Sequence, residues 1–477
     1  MKKLIYLFVF SFVVAFTGCT DKFEEFNTDT KNPANVPGEP LFTNAQKQLS
    51  DYTNNTNVNT NIFKLMSQYW TETTYIDEAN YDLVTRNIST NIFTSMYLRV
   101  LTDLKEANSI ISTTEVIAAE EAAKQNKLQI IELLNVYAYA HLVDVFGAIP
   151  YSEALNVENV YPKYDKGDEV YKDLFNRLNS AVSKLNAGEG SFGSADLYYG
   201  GDVSAWIKFG NSLKVKLGIT IADADNATAK ANIEAAAGKV FASNDDNCLL
   251  NYLTSSPNYN QLYADLVASG RHDFVPANTI VDIMNTLEDP RRPAFFTEYN
   301  GSYVGGKYGY PNSFSQYSHI SDQIQIPDFQ GIIMTYSEIC FYLAEAAERG
   351  YNVGGSAGEW YNKGIEASFE FWGVSGAADY IAKPEVAYAT AEGNWKQKIG
   401  TQSWIALYTC GIEGYTTWRR LDYPIFNLPN EATTYSDIPV RFTFPINEQT
   451  LNEVNYKAAS ELIGGDLITT KIFWDKF

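Results

Sequence analysis

The chain has 477 residues, with 57 Asp and Glu against 36 Lys and Arg, a formal net charge of −21. So acidic a surface is repelled by phosphate backbones and by anionic lipid, which excludes nucleic acid as a partner and electrostatic attachment to a membrane. Tyr alone counts 33 and aromatics make up 14% of the chain, while charged residues reach only 19%; rings with one apolar face and one hydrogen-bonding end suit a wet recognition surface and a neutral polar ligand such as a sugar.

At the N-terminus, Met1, Lys2 and Lys3 form a basic head, an apolar run extends from Leu4 to Phe16, and Thr17-Gly18-Cys19 closes it. At 1.5 Å per residue this run is too short for a bilayer core of about 30 Å, so residues 1–18 read as a cleavable export signal. The closing residues resemble a bacterial lipobox, in which Cys19 becomes the acylated first residue of the mature protein, carrying palmitate-type chains. An ordinary signal peptide with an incidental cysteine is the plainer alternative. Residues 19–40 are polar, rich in proline and without period, as expected of a lipidated tether. Asp21, Glu24 and Glu25 form an acidic cluster just after the cysteine.

Residues 41–477 read as a single mainly α domain, a tetratricopeptide-like scaffold of helix pairs with long irregular insertions and few short strands. Ile92, Phe93, Met96, Tyr97, Val100, Leu101 and Leu104 make an i, i+3, i+4 stripe, and a second runs from Leu128 to Leu142. Trp206, Phe209, Leu213 and Leu217 give a third behind Asp202 or Ser204 as N-cap. Thr335 with Glu338 and Ser356 with Glu359 have capping-box spacing, and Asn394 to Cys410 makes a further helix ended by Gly411. The expected pairs are 88–112 with 119–143, 169–186 with 203–222 and 335–350 with 356–372. Insertions are expected at about 244–334, with a short helix around 277–287, and at 421–477.

Sugars are held by rings that stack on their C–H faces and by amides and carboxylates that bridge their hydroxyls. Two loop segments offer both. The first holds Trp70, Tyr75 and Tyr81 among Asp77 and Asn80. The second, Tyr299 to His319, holds Tyr303, Tyr308, Tyr310, Phe314 and Tyr317 among Gly, Asn and Ser. Rings on glycine-rich loops can be exposed where rings on helix stripes are not. The bland alternative is that they pin the loops to the scaffold.

Other chemistry finds little purchase. Cys248, Cys340 and Cys410 form neither a disulfide framework nor a C-x-x-C zinc pair and read as free thiols, buried by default. His141 and Asp144 lie one turn apart without an obvious third metal ligand. Glu345 and Glu348, at i, i+3 on a helix, read as a solvated face rather than a catalytic pair. Trp206, Trp372 and Trp404 read as core, and Arg419 and Arg420 as partners of carboxylates and helix ends. No P-loop, calcium loop or G-x-S-x-G elbow is present.

Several segments together carry a family resemblance. They include Leu65-Met66-Ser67-Gln68-Tyr69-Trp70, Asp144-Val145-Phe146-Gly147-Ala148-Ile149-Pro150-Tyr151, and Tyr199-Gly200-Gly201-Asp202 before Trp206. Asp289-Pro290-Arg291, Tyr336-Ser337-Glu338, Gln402-Ser403-Trp404, Trp418-Arg419-Arg420 and Arg441-Phe442-Thr443-Phe444-Pro445 follow. With the lipobox, they make the chain resemble the SusD/RagB-like nutrient-binding lipoproteins of Gram-negative outer membranes. The resemblance implies four tetratricopeptide-like units, no catalysis and no cofactor. It implies a cell-surface lipoprotein that binds an oligosaccharide and delivers it to a TonB-dependent, SusC-like transporter. A peptide-binding relative and a surface glycoside hydrolase are the alternatives. The resemblance assigns no binding residue.

Overall fold

A computed structural model describes residues 37–429 and 437–477. The export signal, Cys19 and the acidic cluster after it lie outside the described residues. The first helix, α1 (Gly38–Asn54), begins within the segment expected to be tether. Pro37 stands at its N-cap, and Phe42, Ala45, Leu49 and Tyr52 give it a buried stripe. Residues 88–113 form one rod, α2, with a π-helical stretch at Thr94–Leu101. Then come α3 (Glu121–Phe146), α4 (Gly167–Lys184), α5 (Val203–Thr220), α6 (Asn226–Ala236) and α7 (Asn278–Thr286). After these follow α8 (Tyr336–Glu348), α9 (Ala357–Phe371), α10 (Trp395–Ala406), α11 (Gly411–Leu421) and α12 (Glu453–Ile463).

The long helices pair as α1 with α2, α3 with α4, α5 with α6 and α8 with α9. The first two expected pairings are therefore displaced by one helix: 88–112 takes α1 as its closest partner, and 169–186 takes α3. The expected contacts survive as the weaker ones between neighbouring pairs. From Ile130 to Phe146, α3 is buried on nearly every side, as befits a helix with neighbours on both flanks.

Two caps form where the sequence places them: Asp202 accepts from the Ser204 and Ala205 N–H groups, and Ser356 with Glu359 completes a reciprocal box. The helix expected over 394–410 stops at Ala406, with Asn394 accepting from the Gln397 N–H, and Gly411 opens α11 instead of ending α10. At α8 only half the box forms. Thr335 accepts from the Glu338 N–H, but the Glu338 carboxylate accepts from Lys216 at 3.0 Å instead of returning to the cap. Glu345 is no solvated face: it is buried, accepting from Arg420 at 2.9 Å and from Arg349 at 2.9 Å, while Glu348 is exposed. Arg419 donates to the Asp144 and Val440 carbonyls. His141 shares a hydrogen bond with the Tyr52 hydroxyl, and Asp144 accepts from Tyr171 and Trp474. Among the described residues no group of three His, Cys, Asp or Glu side chains is placed to hold a metal, and no helix is long and apolar enough to cross a membrane. Trp206, Trp372 and Trp404 are core, and among the described residues Cys248, Cys340 and Cys410 are free thiols, the first two buried and Cys410 half-buried.

Among the described residues there are three two-stranded ribbons, the first of which ties the 244–334 insertion to the scaffold. β1 (Trp70–Glu72) pairs with β5 (Phe274–Pro276), β2 (Ala148–Pro150) with β3 (Tyr164–Lys166), and β4 (Cys248–Leu250) with β6 (Gly331–Met334). The C-terminal stretch returns to the end of α3, where Arg441 Nε donates to the Phe146 carbonyl.

Candidate ligand-binding site

The two aromatic loop segments expected to share a ligand meet in the structure. β1 runs into Thr73, whose N–H donates to the Asp273 carbonyl and whose hydroxyl donates to that of His272. On its other edge Asn312 acts as a clamp. Its backbone N–H donates to the Thr73 carbonyl, and its side-chain amide donates to the carbonyls of Glu72, Lys307 and Tyr310. Asn80 is buried and bridges the Ile76 and Gly309 carbonyls. Glycine is required where the second loop crosses α7: a Cβ at Gly305 would lie 2.5 Å from the Asn278 Cα.

Burial then sorts the expected site residues. Trp70 is 0% exposed and its Nε1 donates to the Tyr408 hydroxyl at 2.8 Å. Tyr308 is buried with its hydroxyl on the Leu65 carbonyl at 2.9 Å. Tyr81 is buried beside it, at a left-handed φ of 69° that a bulky residue adopts only when its surroundings hold it. Trp70, Tyr81, Tyr308 and Asn80 are thus anchors of the loops, a correction to their expected place on a ligand-facing surface. Trp70, Tyr81 and Tyr308 have spent their polar groups on the protein, as has the Asn80 amide nitrogen, while Asn80 Oδ1 is buried without a partner. Tyr75, in contrast, is 61% exposed, and Asp77 is exposed beside it. Tyr303, Tyr310 and Tyr317 are half-buried, Tyr303 under the Arg292 guanidinium and Tyr310 under Lys307 Nζ at 3.6 Å.

Tyr75 stands at a cavity of about 310 Å³, whose wall comes from three places in the chain. The turn after α1 supplies Asn57 and Asn59, the approach to β5 supplies Asp265, Arg271 and Asp273, and the Tyr75 loop supplies Glu72 and Arg86. Tyr303, Tyr310 and Tyr317 lie outside this wall. Its two cations are each spent on a carboxylate: Arg271 grips Asp273 with two hydrogen bonds of 2.5 and 2.9 Å, and Arg86 pairs with Glu78. Such a wall presents hydrogen-bonding groups at little net charge, which suits a neutral polyol. Burial raises the Asp265 carboxyl, and burial first and the Glu78 carboxyl second hold Glu72 well above the usual carboxylate range. Next to the cavity, His272 stacks on Phe314 at 4.3 Å and Phe314 on His319 at 3.8 Å, a three-ring pile beside Arg271 and Asp273.

Sequence reasoning missed the cavity's far wall. Residues 56–59 and 265–273 carry no periodic or aromatic signal; only the run of Asn and Thr at 54–60 marked a turn there. A larger groove of about 770 Å³ lies along α1 and residues 250–258. Its one ring, Tyr252, is buried with its hydroxyl on Asp51, so it offers no stacking platform.

Comparison with known proteins follows the same lines. A family model described as starch-binding and associating with the outer membrane matches residues 30–445. The chain belongs to the SusD-like family. Solved structures similar to this SusD-like chain include a chitin-binding protein, 28% identical with a TM-score of 0.80, the match covering 92% of this chain and 100% of the other. A chitin-binding SusD homolog from Flavobacterium johnsoniae is 27% identical with a TM-score of 0.77, over 92% of this chain and 97% of its own. A SusD homolog from Bacteroides uniformis is 26% identical with the same TM-score, over 92% and 99%. No curated protein matches the chain in sequence. The mainly α architecture with few strands is that of the SusD-like fold.

Proposed function

We propose that this SusD-like protein binds an oligosaccharide at the Tyr75 cavity and hands it to a TonB-dependent, SusC-like outer-membrane transporter. The observation that carries this reading is an exposed tyrosine ring on a cavity whose two cations are each committed to a carboxylate. A ring face takes the C–H side of a sugar, while Asn57, Asn59 and the carboxylates take hydroxyls. Two similar proteins bear a chitin-binding description, and we extend that ligand class, oligosaccharides of β-linked N-acetylglucosamine, to this chain. An acetamido group suits such a wall, since it adds a donor and an acceptor without charge.

Acylation at Cys19 anchors the protein in the outer membrane facing the exterior, with the first residues after it as tether. The protein binds without turnover. Glycoside hydrolysis needs two carboxyls opposed across a cleft, roughly 5–10 Å apart, whereas Glu72 and Glu78 are in reach of each other behind one wall. Retention of the soluble 20–477 fragment on chitin, starch and a peptide array, with a reducing-end assay on whatever is retained, tests the reading. Retention on chitin without new reducing ends is expected. Retention by peptide alone overturns the ligand class, and reducing ends that disappear with one Glu or Asp substitution overturn the absence of catalysis.

A further inference from the structure

The loop that carries Tyr75 closes over two carboxyls that scarcely reach solvent: Glu72 is 2% exposed and Glu78 is 1% exposed. Arg86 Nε donates to Glu78 Oε1, but Glu78 Oε2 is buried with no hydrogen-bond partner. Glu72 Oε2 accepts from the Ala79 N–H at 2.9 Å, and the Glu78 carboxyl lies within hydrogen-bonding reach of Glu72. Two ionised carboxylates in contact repel, and such a pair retains a proton. The surrounding charges do not relieve it. Arg86 is one cation for two acids, and Asp77 on the same loop adds repulsion. From the β5 side come Asp265 and Asp273, with Arg271 already committed to Asp273. From the second loop comes the Tyr308 phenol, itself raised by burial. A proton on Glu72 gives the orphaned Glu78 oxygen a donor and removes the excess charge.

We propose that Glu72 donates a retained proton to Glu78 Oε2, and that this hydrogen bond latches residues 73–86 against β1, so the Tyr75 wall of the cavity loosens as that proton leaves. The latch stands on its own geometry; its consequence for ligand rests on the function proposed above. In the open loop Glu72 meets water and returns to the ordinary glutamate value of 4.5, whereas the closed loop holds it well above. Between those two values the closed form carries one proton more. The latch is at full strength below the lower value, and opening then gains about tenfold per pH unit until the closed form has ionised.

Hydrogen exchange over residues 72–86 of the ligand-free protein, normalised for intrinsic rate from about pH 5 to about pH 9, reads the opening directly. The wild type should show the tenfold-per-unit rise. Glu72→Gln keeps an N–H donor for Glu78 and an acceptor for Ala79 with no proton to lose, and should be flat. Glu78→Gln, which removes the repelling charge, should shorten the rise, so one misfolded variant still leaves the other. The same profile in all folded forms overturns the latch. Affinity for chitooligosaccharide over the same range separates the two readings. A rise in exchange with no glycan retained at any pH upholds the latch and overturns the ligand assignment; retained glycan with no rise overturns the latch alone.

Discussion

Trp70→Phe decides between a ligand-facing ring and an anchor. The Trp70 side chain is fully buried, donates one hydrogen bond to Tyr408 and packs on Phe274 at 6.0 Å between ring centres. Removing the indole N–H costs about 1 kcal/mol for the lost hydrogen bond. The smaller ring leaves a void worth about 1–2 kcal/mol more, below the 3–5 of a full truncation to Ala. At about 2.1 cal/mol/K per residue the unfolding entropy of a chain this size is roughly 1 kcal/mol/K, so the melting temperature should fall by about 2–3 °C. Calorimetry and glycan affinity on the same sample give both readouts. An unchanged melting temperature with a tenfold or greater loss of affinity refutes the anchor assignment and returns Trp70 to the site.

Two further outcomes follow from the fold and from the proposed lipid anchor. Lys216 lies between Glu338 at 3.0 Å and Glu413 at 2.5 Å, so one cation serves two buried carboxylates. Burial therefore prevails at Glu413 and pushes its carboxyl up to about 7, while Lys216 stays charged. Because the folded state holds that proton more tightly, stability should fall as pH rises from 4.5 to about 7 and hold level above; Glu413→Gln should flatten this slope in denaturant titrations at several pH values. Cys19→Ala should release the protein from the membrane fraction or leave it unprocessed, as fractionation with a fatty-acid label reads, since a cleaved N-terminus without acyl chains has no anchor.

Local chemistry was legible where it was self-contained. The caps at Asp202 and Ser356 and the stripes behind them need only neighbours within a turn or two. Helix α1 was not: it follows a proline-rich stretch, has no side-chain cap, and buries its stripe on distant partners. Missing it displaced the first two helix pairings by one helix. Glu345 failed for a related reason, because its partner Arg420 arrives from α11, 75 residues on. The aromatic loops were legible as a meeting place but not ring by ring. Tyr308 and Tyr75 both sit among small and polar residues, and only the long-range bond from Tyr308 to Leu65 separates the anchor from the exposed ring.

Tyr75 carries the central claim, and its truncation tests it most directly. An aromatic contact is worth about 0.5–1.5 kcal/mol beyond area burial, or roughly two- to tenfold in affinity. Titration calorimetry with chitooligosaccharide should therefore show Tyr75→Ala weaker by that factor and Tyr75→Trp close to wild type. Since the side chain is largely exposed, melting temperature should not move. Equal affinity in wild type and Tyr75→Ala contradicts a stacking site at this cavity.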